Sequence, residues 1–368
     1  MFCLRGRGEL LKNRSEAVAD KWQETLYQVT FSPENELRSK GQEAHKLTND
    51  EKKNLLFALN EKGRFDSVEP LPDKDLPDFL FLWNYLHETL RGEAKENLNS
   101  LAQFLEVNKT AVKMLKSISL EKQILAINTL GNLQEREAYE EIEKLIVVRD
   151  PIISLWAWRA LFRIDFEVTL EKHLSMIAKR QDWSPTFVVK VLIELDRDLI
   201  SEPLVRLVEK TYAQKIDERQ MARIVSYLMI VHVSSSSPLV HKILHESDQA
   251  EVLIACLRLV NSGKSLPRVR ELITSERWEI RLQVVQTLGR IGHKQDTKLL
   301  LDSLNDIDWW VRYRSASALL QMPSISEKKI EKFAETLPNE FARDILKQVL
   351  AEKRLLCNTP TSSPILSR

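Results

Sequence analysis

The stretch Trp278-Glu279-Ile280-Arg281-Leu282-Gln283-Val284-Val285-Gln286-Thr287-Leu288-Gly289-Arg290-Ile291 decides how the chain is read. Ile280, Val284, Val285, Leu288 and Ile291 fall at i, i+4, i+5, i+8 and i+11, which traces one stripe of an α-helix. Starting 31 residues later, Val311, Ser315, Ala316, Leu319 and Met322 take the same offsets. Arg281 and Arg312 each follow the first position of their stripe.

The pattern continues upstream. Lys122, Ala126, Ile127, Leu130 and Leu133 open the series, and Ile153, Ala157, Trp158, Leu161 and Ile164 follow. Phe187, Val191, Leu192 and Leu195 come next, then Gln220, Ile224, Val225, Leu228 and Val231. Val252, Cys256, Leu257 and Val260 fit with Gly263 at the last place. The copies start at 122, 153, 187, 220, 252, 280 and 311. A polar turn and a second apolar segment follow the stripe, as in Ile142, Leu145 and Ile146, in Leu204, Leu207 and Val208, or in Leu300, Leu301 and Leu304. Asp150-Pro151 and Trp183-Ser184-Pro185 precede first helices, where the missing proline N–H would have no partner anyway. A period of this length with two helices in it signals an α-solenoid, whose units bury their apolar faces only by stacking. The expected fold is all-α, with about seven helix pairs and a helical N-terminal region.

Trp278-Glu279-Ile280-Arg281 with Leu288-Gly289, and Asp308-Trp309-Trp310-Val311-Arg312 with Ala318-Leu319, resemble the short bacterial HEAT repeats also found in phycobilin lyases. The resemblance covers residues 119–325. It implies a non-enzymatic scaffold that binds a partner protein on a concave face lined by the second helices. The repeat serves many unrelated functions, so two other readings stay open: a HEAT-type DNA-binding protein or alkylpurine DNA glycosylase, and a phycobilin lyase-like protein.

Composition narrows the field. The 368 residues include only 9 glycines and 13 prolines, and 29% are charged. A net charge of +1 gives no global basic field, so no nucleic-acid partner is expected. Cys3, Cys256 and Cys357 lie far apart, which argues against a zinc site or a disulfide framework and fits a reducing cytoplasm. No cofactor and no metal are expected. No apolar run reaches the roughly 18 residues of a membrane span.

Residues 1–118 lack the stripe and read as a helical N-terminal region. Repeats are expected over 119–337, a capping helix over 338–356 and a disordered tail over 357–368 that exposes Cys357. Within the first region, helices are expected over 9–29 and 51–62, with a loop or short helix between them. An apolar helix then runs from Phe79 to Ala94 with Gly92 ending or kinking it, and another carries Leu98, Leu101, Phe104 and Leu105. The basic N-terminus and the amphipathic Trp22, Leu26 and Tyr27 read either as a frayed terminus or as the segment just inside a membrane anchor.

The segment Leu82-Trp83-Asn84-Tyr85-Leu86-His87-Glu88-Thr89-Leu90-Arg91-Gly92-Glu93 resembles a stretch preceding the repeats in certain bacterial HEAT-repeat proteins. These commonly carry an N-terminal membrane helix and are often encoded beside a processive family-2 glycosyltransferase for exopolysaccharide. The resemblance implies a membrane glycosyltransferase as partner. It also implies a cytoplasmic location peripheral to the inner membrane, through that partner or through an anchor this sequence does not show.

Catalytic signals are weak. His87-Glu88 and His245-Glu246 are His-Glu dyads, but a HEAT-repeat iron hydroxylase that uses such dyads needs four, and adjacent residues leave a helix on different sides. They read as surface or half-buried polar residues. No His-Glu-x-x-His, phosphate-binding glycine loop or Gly-x-Ser-x-Gly is present. Asp165 and Asp182 sit near loops without an identifiable partner, and Ser234-Ser235-Ser236-Ser237-Pro238 reads as a turn.

The aromatic-basic cluster Trp278, Arg281, Trp309, Trp310, Arg312, Tyr313 and Arg314 is the site candidate. Tryptophan and arginine dominate interface hot spots, and they stack on bases or sugars. Trp278, Trp309, Tyr313 and Arg314 are expected to bind the partner. Trp309 is expected to be more exposed than Trp310, which directly precedes the core valine. Arg281 and Arg312 occupy the repeat's arginine place and are expected to bond between repeats.

Overall fold

Aspartate side chains start the helices. In a computed structural model, Asp150 accepts hydrogen bonds from the N–H groups of Ile152 (2.8 Å) and Ile153 (3.0 Å). Asp217 does the same for Arg219 and Gln220, and Asp308 for Trp310 and Val311. Each satisfies N–H groups that a helix N-terminus leaves without a partner. The structure describes Trp22, Leu26, Val68 and residues 70–358. All regular structure among the described residues is helical. The expected segments 31–50 and 51–62 and Cys3 lie outside them, as do the tail from residue 359 onward and the side chain of Cys357. The chain divides into two compact units, residues 1–174 and 175–368.

The first unit holds α1 (Leu76–Thr89), α2 (Glu93–Phe104), α3 (Val107–Met114), α4 (Leu120–Asn132), α5 (Tyr139–Ile146), α6 (Pro151–Ile164) and α7 (Phe166–His173). Trp22 and Leu26, both helical, share a core with Phe79, Leu80, Trp83, Leu98 and Leu101. Trp22 meets Phe79 edge-on at 5.1 Å. Two boundaries differ from the sequence reading. The Phe79 helix stops at Thr89, and Gly92 adopts φ +59°, a left-handed backbone that suits glycine, ahead of α2. The helix α3 gave no stripe long enough to be read.

A buried polar network joins α1, α4 and α6. The Asn84 amide donates to Thr129 Oγ1 (2.9 Å), and the Asn132 amide donates to Asn84 Oδ1 (2.8 Å). Arg163 in turn donates to Asn132 Oδ1. Buried polar groups are tolerated when they are bonded in this way.

The second unit holds α8 (Met176–Lys179), α9 (Pro185–Glu194), α10 (Arg197–Ala213), α11 (Glu218–Ser226), α12 (Val233–Glu246), α13 (Ala250–Leu259), α14 (Leu266–Glu271), α15 (Trp278–Ile291), α16 (Thr297–Asp302), α17 (Trp309–Gln321), α18 (Glu327–Thr336) and α19 (Glu340–Asn358). The stripe segments become α4 and α6 in the first unit and α9, α11, α13, α15 and α17 in the second. Ile280, Val284, Val285 and Leu288 are buried, as are Val311, Ser315, Ala316 and Leu319. This is the all-α solenoid arrangement expected from the period.

Neighbouring first helices approach closely where a glycine permits it. A Cβ on Gly289 would sit 2.7 Å from Ala318 Cα, and one on Gly131 would sit 2.9 Å from Ala160 Cα. In both pairs the glycine lies nine residues into its stripe and the alanine seven into the next.

The serine run is not a turn. Ser234–Ser237 and Pro238 lie inside α12. Burial of Leu239, Val240, Ile243 and Leu244 outweighs the weak helix preference of serine and the proline N–H missing from the ladder. Cys256 is buried in α13, and burial pushes its thiol up to about 12, which makes it inert.

Candidate partner-binding site

Three consecutive first helices, α13, α15 and α17, form the wall of an open cleft of about 380 Å³. Glu251, Ile254 and Arg258 line it from α13, Trp278, Glu279, Leu282, Gln283 and Gln286 from α15, and Trp310 and Arg314 from α17. These are not stripe positions. Relative to the stripe starts at 252, 280 and 311, they fall mainly at −1, +2, +3 and +6, beside the core stripe, with Ile254 and Gln283 buried at the cleft floor. A second cleft of about 420 Å³ continues past Gln283, Gln286, Arg290, Arg314 and Gln321. Both clefts lie on the first helices, whereas the sequence reading placed the binding face on the second helices.

The expected site residues divide between two sides of α17. Trp278, 39% exposed, and Trp310, 50% exposed, face the cleft with Arg314. Trp309 turns the other way. Its ring stacks on Tyr313 at 5.3 Å with 14° between planes and meets Trp310 edge-on at 4.8 Å. The Tyr313 hydroxyl donates to Glu352 Oε2 of α19 at 2.6 Å. That bond, with partial burial, raises the Tyr313 pKa, and the same bond together with one from Gln348 lowers that of Glu352. Trp309 is 43% exposed, so it is not the more exposed of the tryptophan pair. A helix separates adjacent residues by about 100°, so both can escape the core stripe.

Arg281 and Arg312 bond to loops. Arg281 Nη1 donates to the carbonyls of Ser275 (2.8 Å) and Glu276 (3.1 Å). Its Nε and Nη2 reach the two carboxylate oxygens of Asp306, each at 2.7 Å. Arg312 Nη1 donates to the carbonyls of Asp306 (2.8 Å) and Ile307 (3.1 Å). Arg343 repeats the pattern on Leu337 (2.6 Å) and Pro338 (3.2 Å). Arg281, Arg312 and Arg343 are 31 residues apart, and Ala342, Leu346 and Leu350 are buried. The helix α19 thus carries an eighth copy of the stripe, which sequence reading took for a cap because lysines fill two of its places.

Burial alone would raise the Asp306 carboxyl, but Arg281 and the Asp308 N–H hold it below the ordinary carboxylate range. Asp296 behaves likewise, with burial offset by Arg270 at 2.6 and 3.1 Å and by the His293 N–H.

Neither His-Glu dyad assembles a metal centre, and the described residues contain no group of three or more potential metal-binding side chains. His87 is buried rather than half-exposed, stacks on Trp83 at 4.8 Å, and is pushed down to about 3 by burial and by Lys95, Arg163 and Arg91. Glu88 pairs with Arg159 at 3.1 Å. His245 Nδ1 lies 2.9 Å from the His241 carbonyl. Asp165 caps α7 through the Val168 N–H, and Asp182 pairs with Arg180.

Residues 237–320 match the family model of HEAT repeats, a stretch that runs from within α12 to the last turn of α17. HEAT repeats therefore build the part of the chain that carries the cleft. No curated protein matches the sequence.

Proposed function

We propose that the chain is a non-enzymatic scaffold that docks a partner protein in the cleft on α13, α15 and α17. The observation that carries this reading is the pair of exposed tryptophans, Trp278 and Trp310, flanking an open cleft built from HEAT repeats. Large aromatic side chains at such positions do not serve the core, and they are the residue type that most often anchors an interface. In this reading Trp278, Trp310 and Arg314 hold the partner, and Trp309 with Tyr313 braces α17 against α19. Arg281 and Arg312 belong to the scaffold. The repeat array, expected over 119–337, extends in this reading through α19, which carries the eighth copy.

Replacing Trp278 and Trp310 by alanine tests the reading. Truncating a hot spot typically costs about 2 kcal/mol or more, so the double variant should lose its partner in affinity purification while keeping its helical circular dichroism. An unchanged set of bound proteins would remove the cleft from consideration.

The segment 82–93 directs the search for that partner to a membrane glycosyltransferase, and co-purification with one is the direct check. No helix among the described residues is long and apolar enough to cross a membrane. A DNA-binding reading is disfavoured by Glu251 and Glu279 in the cleft, since phosphates would meet carboxylates there.

A further inference from the structure

The cleft has opposite charge at its two ends. Glu251 and Glu279 each lie at the second residue of their helix, α13 and α15, and so share the N-terminal edge of the cleft. Glu218 joins them there, since its carboxylate accepts the Glu251 N–H at 2.7 Å. Two cations bear on Glu279: Arg277, which pairs with it at 3.4 Å and whose charge Glu279, Glu251 and Glu218 all favour, and Arg281, which Asp306 already pairs at 2.7 Å. With Arg281 balanced by Asp306, the three carboxylates Glu218, Glu251 and Glu279 outnumber Arg277 and leave this edge negative. Arg258 lies seven residues further along α13, and Arg314 lies on α17 four residues beyond Trp310. Both are exposed. Arg258 makes a 3.3 Å hydrogen bond to the neutral Gln283, so its charge is not cancelled by that partner. Arg290 is engaged elsewhere, donating to the carbonyls of Leu257 and Val260 at the end of α13. Trp278 and Trp310, the first and second residues of α15 and α17 respectively, stand beside the carboxylates at the N-terminal edge.

We infer that the cleft takes an extended segment of a partner protein that carries a basic side chain and a neighbouring large apolar side chain toward one end and an acidic side chain at the other. The basic group meets Glu251 and Glu279, the apolar group lies between the tryptophans, and the acidic group meets Arg258 and Arg314. Seven helical residues rise about 10 Å, and an extended chain spans that distance in about three residues. The two charges of the segment are therefore about three to four residues apart. Complementary charge at both ends disfavours ligands of a single sign, which would meet repulsion at one of them. This inference rests on the proposed docking reading and adds to it the chemistry of the occupant.

The test uses the full chain and three fluorescent heptapeptides with serine spacers, titrated by anisotropy up to about 1 mM, the weak limit of specific binding. Their charged and apolar positions run lysine–leucine–glutamate, lysine–leucine–lysine and glutamate–leucine–glutamate. The mixed peptide should bind about tenfold or more tighter than either of the others. Reversing one end should move the preference: Glu251→Lys with Glu279→Lys should favour the doubly acidic peptide, and Arg258→Glu with Arg314→Glu the doubly basic one. Glutamine at the same positions should abolish the preference and serves where a reversal impairs folding.

Equal binding of the three peptides, or a preference unchanged by the reversals, would overturn the inference. If Trp278→Ala with Trp310→Ala still abolished binding in that case, docking would stand without charge polarity. Binding that survives the loss of both tryptophans would sink the docking reading itself. Absence of binding by any peptide would count against both. Self-association of the chain, seen by sedimentation and abolished by the same variants, would reassign the cleft to a second copy.

Discussion

Arg281 holds Asp306 through two hydrogen bonds of 2.7 Å, one to each carboxylate oxygen, while its third nitrogen takes the carbonyls of Ser275 and Glu276. One guanidinium thus ties the loop before α15 to the loop before α17. Each side chain is 12% exposed. Breaking such a pair by removing one partner leaves a buried charge uncompensated and typically costs about 3–5 kcal/mol. Arg281→Ala should lower urea-denaturation stability by an amount in that range. A change below about 1 kcal/mol would show the pair to be as weak as a surface bridge.

The same pair sets a pH dependence. The Asp306 carboxyl is held below its unfolded value, so its contribution to stability is present above the unfolded carboxylate pKa of about 3.9. That contribution is lost as pH falls through the folded value. Asp296 adds to the trend in the same direction. Thermal melts of the wild type should fall steeply in acid, and Arg281→Ala should show a shallower fall. Parallel profiles for the two proteins would refute the linkage.

Gly289→Ala should destabilise the protein, although alanine favours a helix by about 1 kcal/mol. The added Cβ would sit 2.7 Å from Ala318 Cα, and backbone cannot swing aside as a side chain can. Differential scanning calorimetry checks this. A raised Tm would mean that α15 and α17 separate at little cost.

Leu288 is fully buried in the second unit, and Leu288→Ala should cost about 2–5 kcal/mol. Repeat contacts are chiefly between neighbours, so hydrogen exchange should rise most in α13–α17. A uniform rise across the whole chain would contradict a repeat architecture.

His87 should be neutral throughout the physiological range, because its pKa is pushed down to about 3. Its unfolded value is about 6.5, so the unfolded state takes up the proton first and stability declines as pH falls from there toward 3. In an NMR titration the His87 ring signals should stay constant from pH 8 to pH 5. A midpoint near 6.5 would show an open, solvated ring.

Much of the fold was legible because the stripe reports burial, and burial is what a stacked helix pair requires. The stripes at 280 and 311 correspond to α15 and α17 because their apolar residues recur at fixed offsets. The serine run misled because local preference lost to the burial of four residues further along α12. The eighth copy was hidden because Lys347 and Lys353 occupy apolar places, while Arg343 still marks it. The cleft was partly readable: Trp278, Trp310 and Arg314 stood out by residue type, and Glu251 and Arg258 did not. They emerge only when the positions beside the core stripe are aligned from copy to copy. Which way Trp309 turns depends on Tyr313 and on α19, a tertiary fact that spacing within one helix does not encode.

The central claim is that a protein partner docks on the first helices. Site-specific photo-crosslinking in the native host tests it most directly, with a benzophenone residue replacing Gln286 in the cleft or Lys298 on α16. The account predicts a discrete protein adduct from the Gln286 position and none from Lys298. No adduct from the cleft, or the same adducts from both positions, would contradict it.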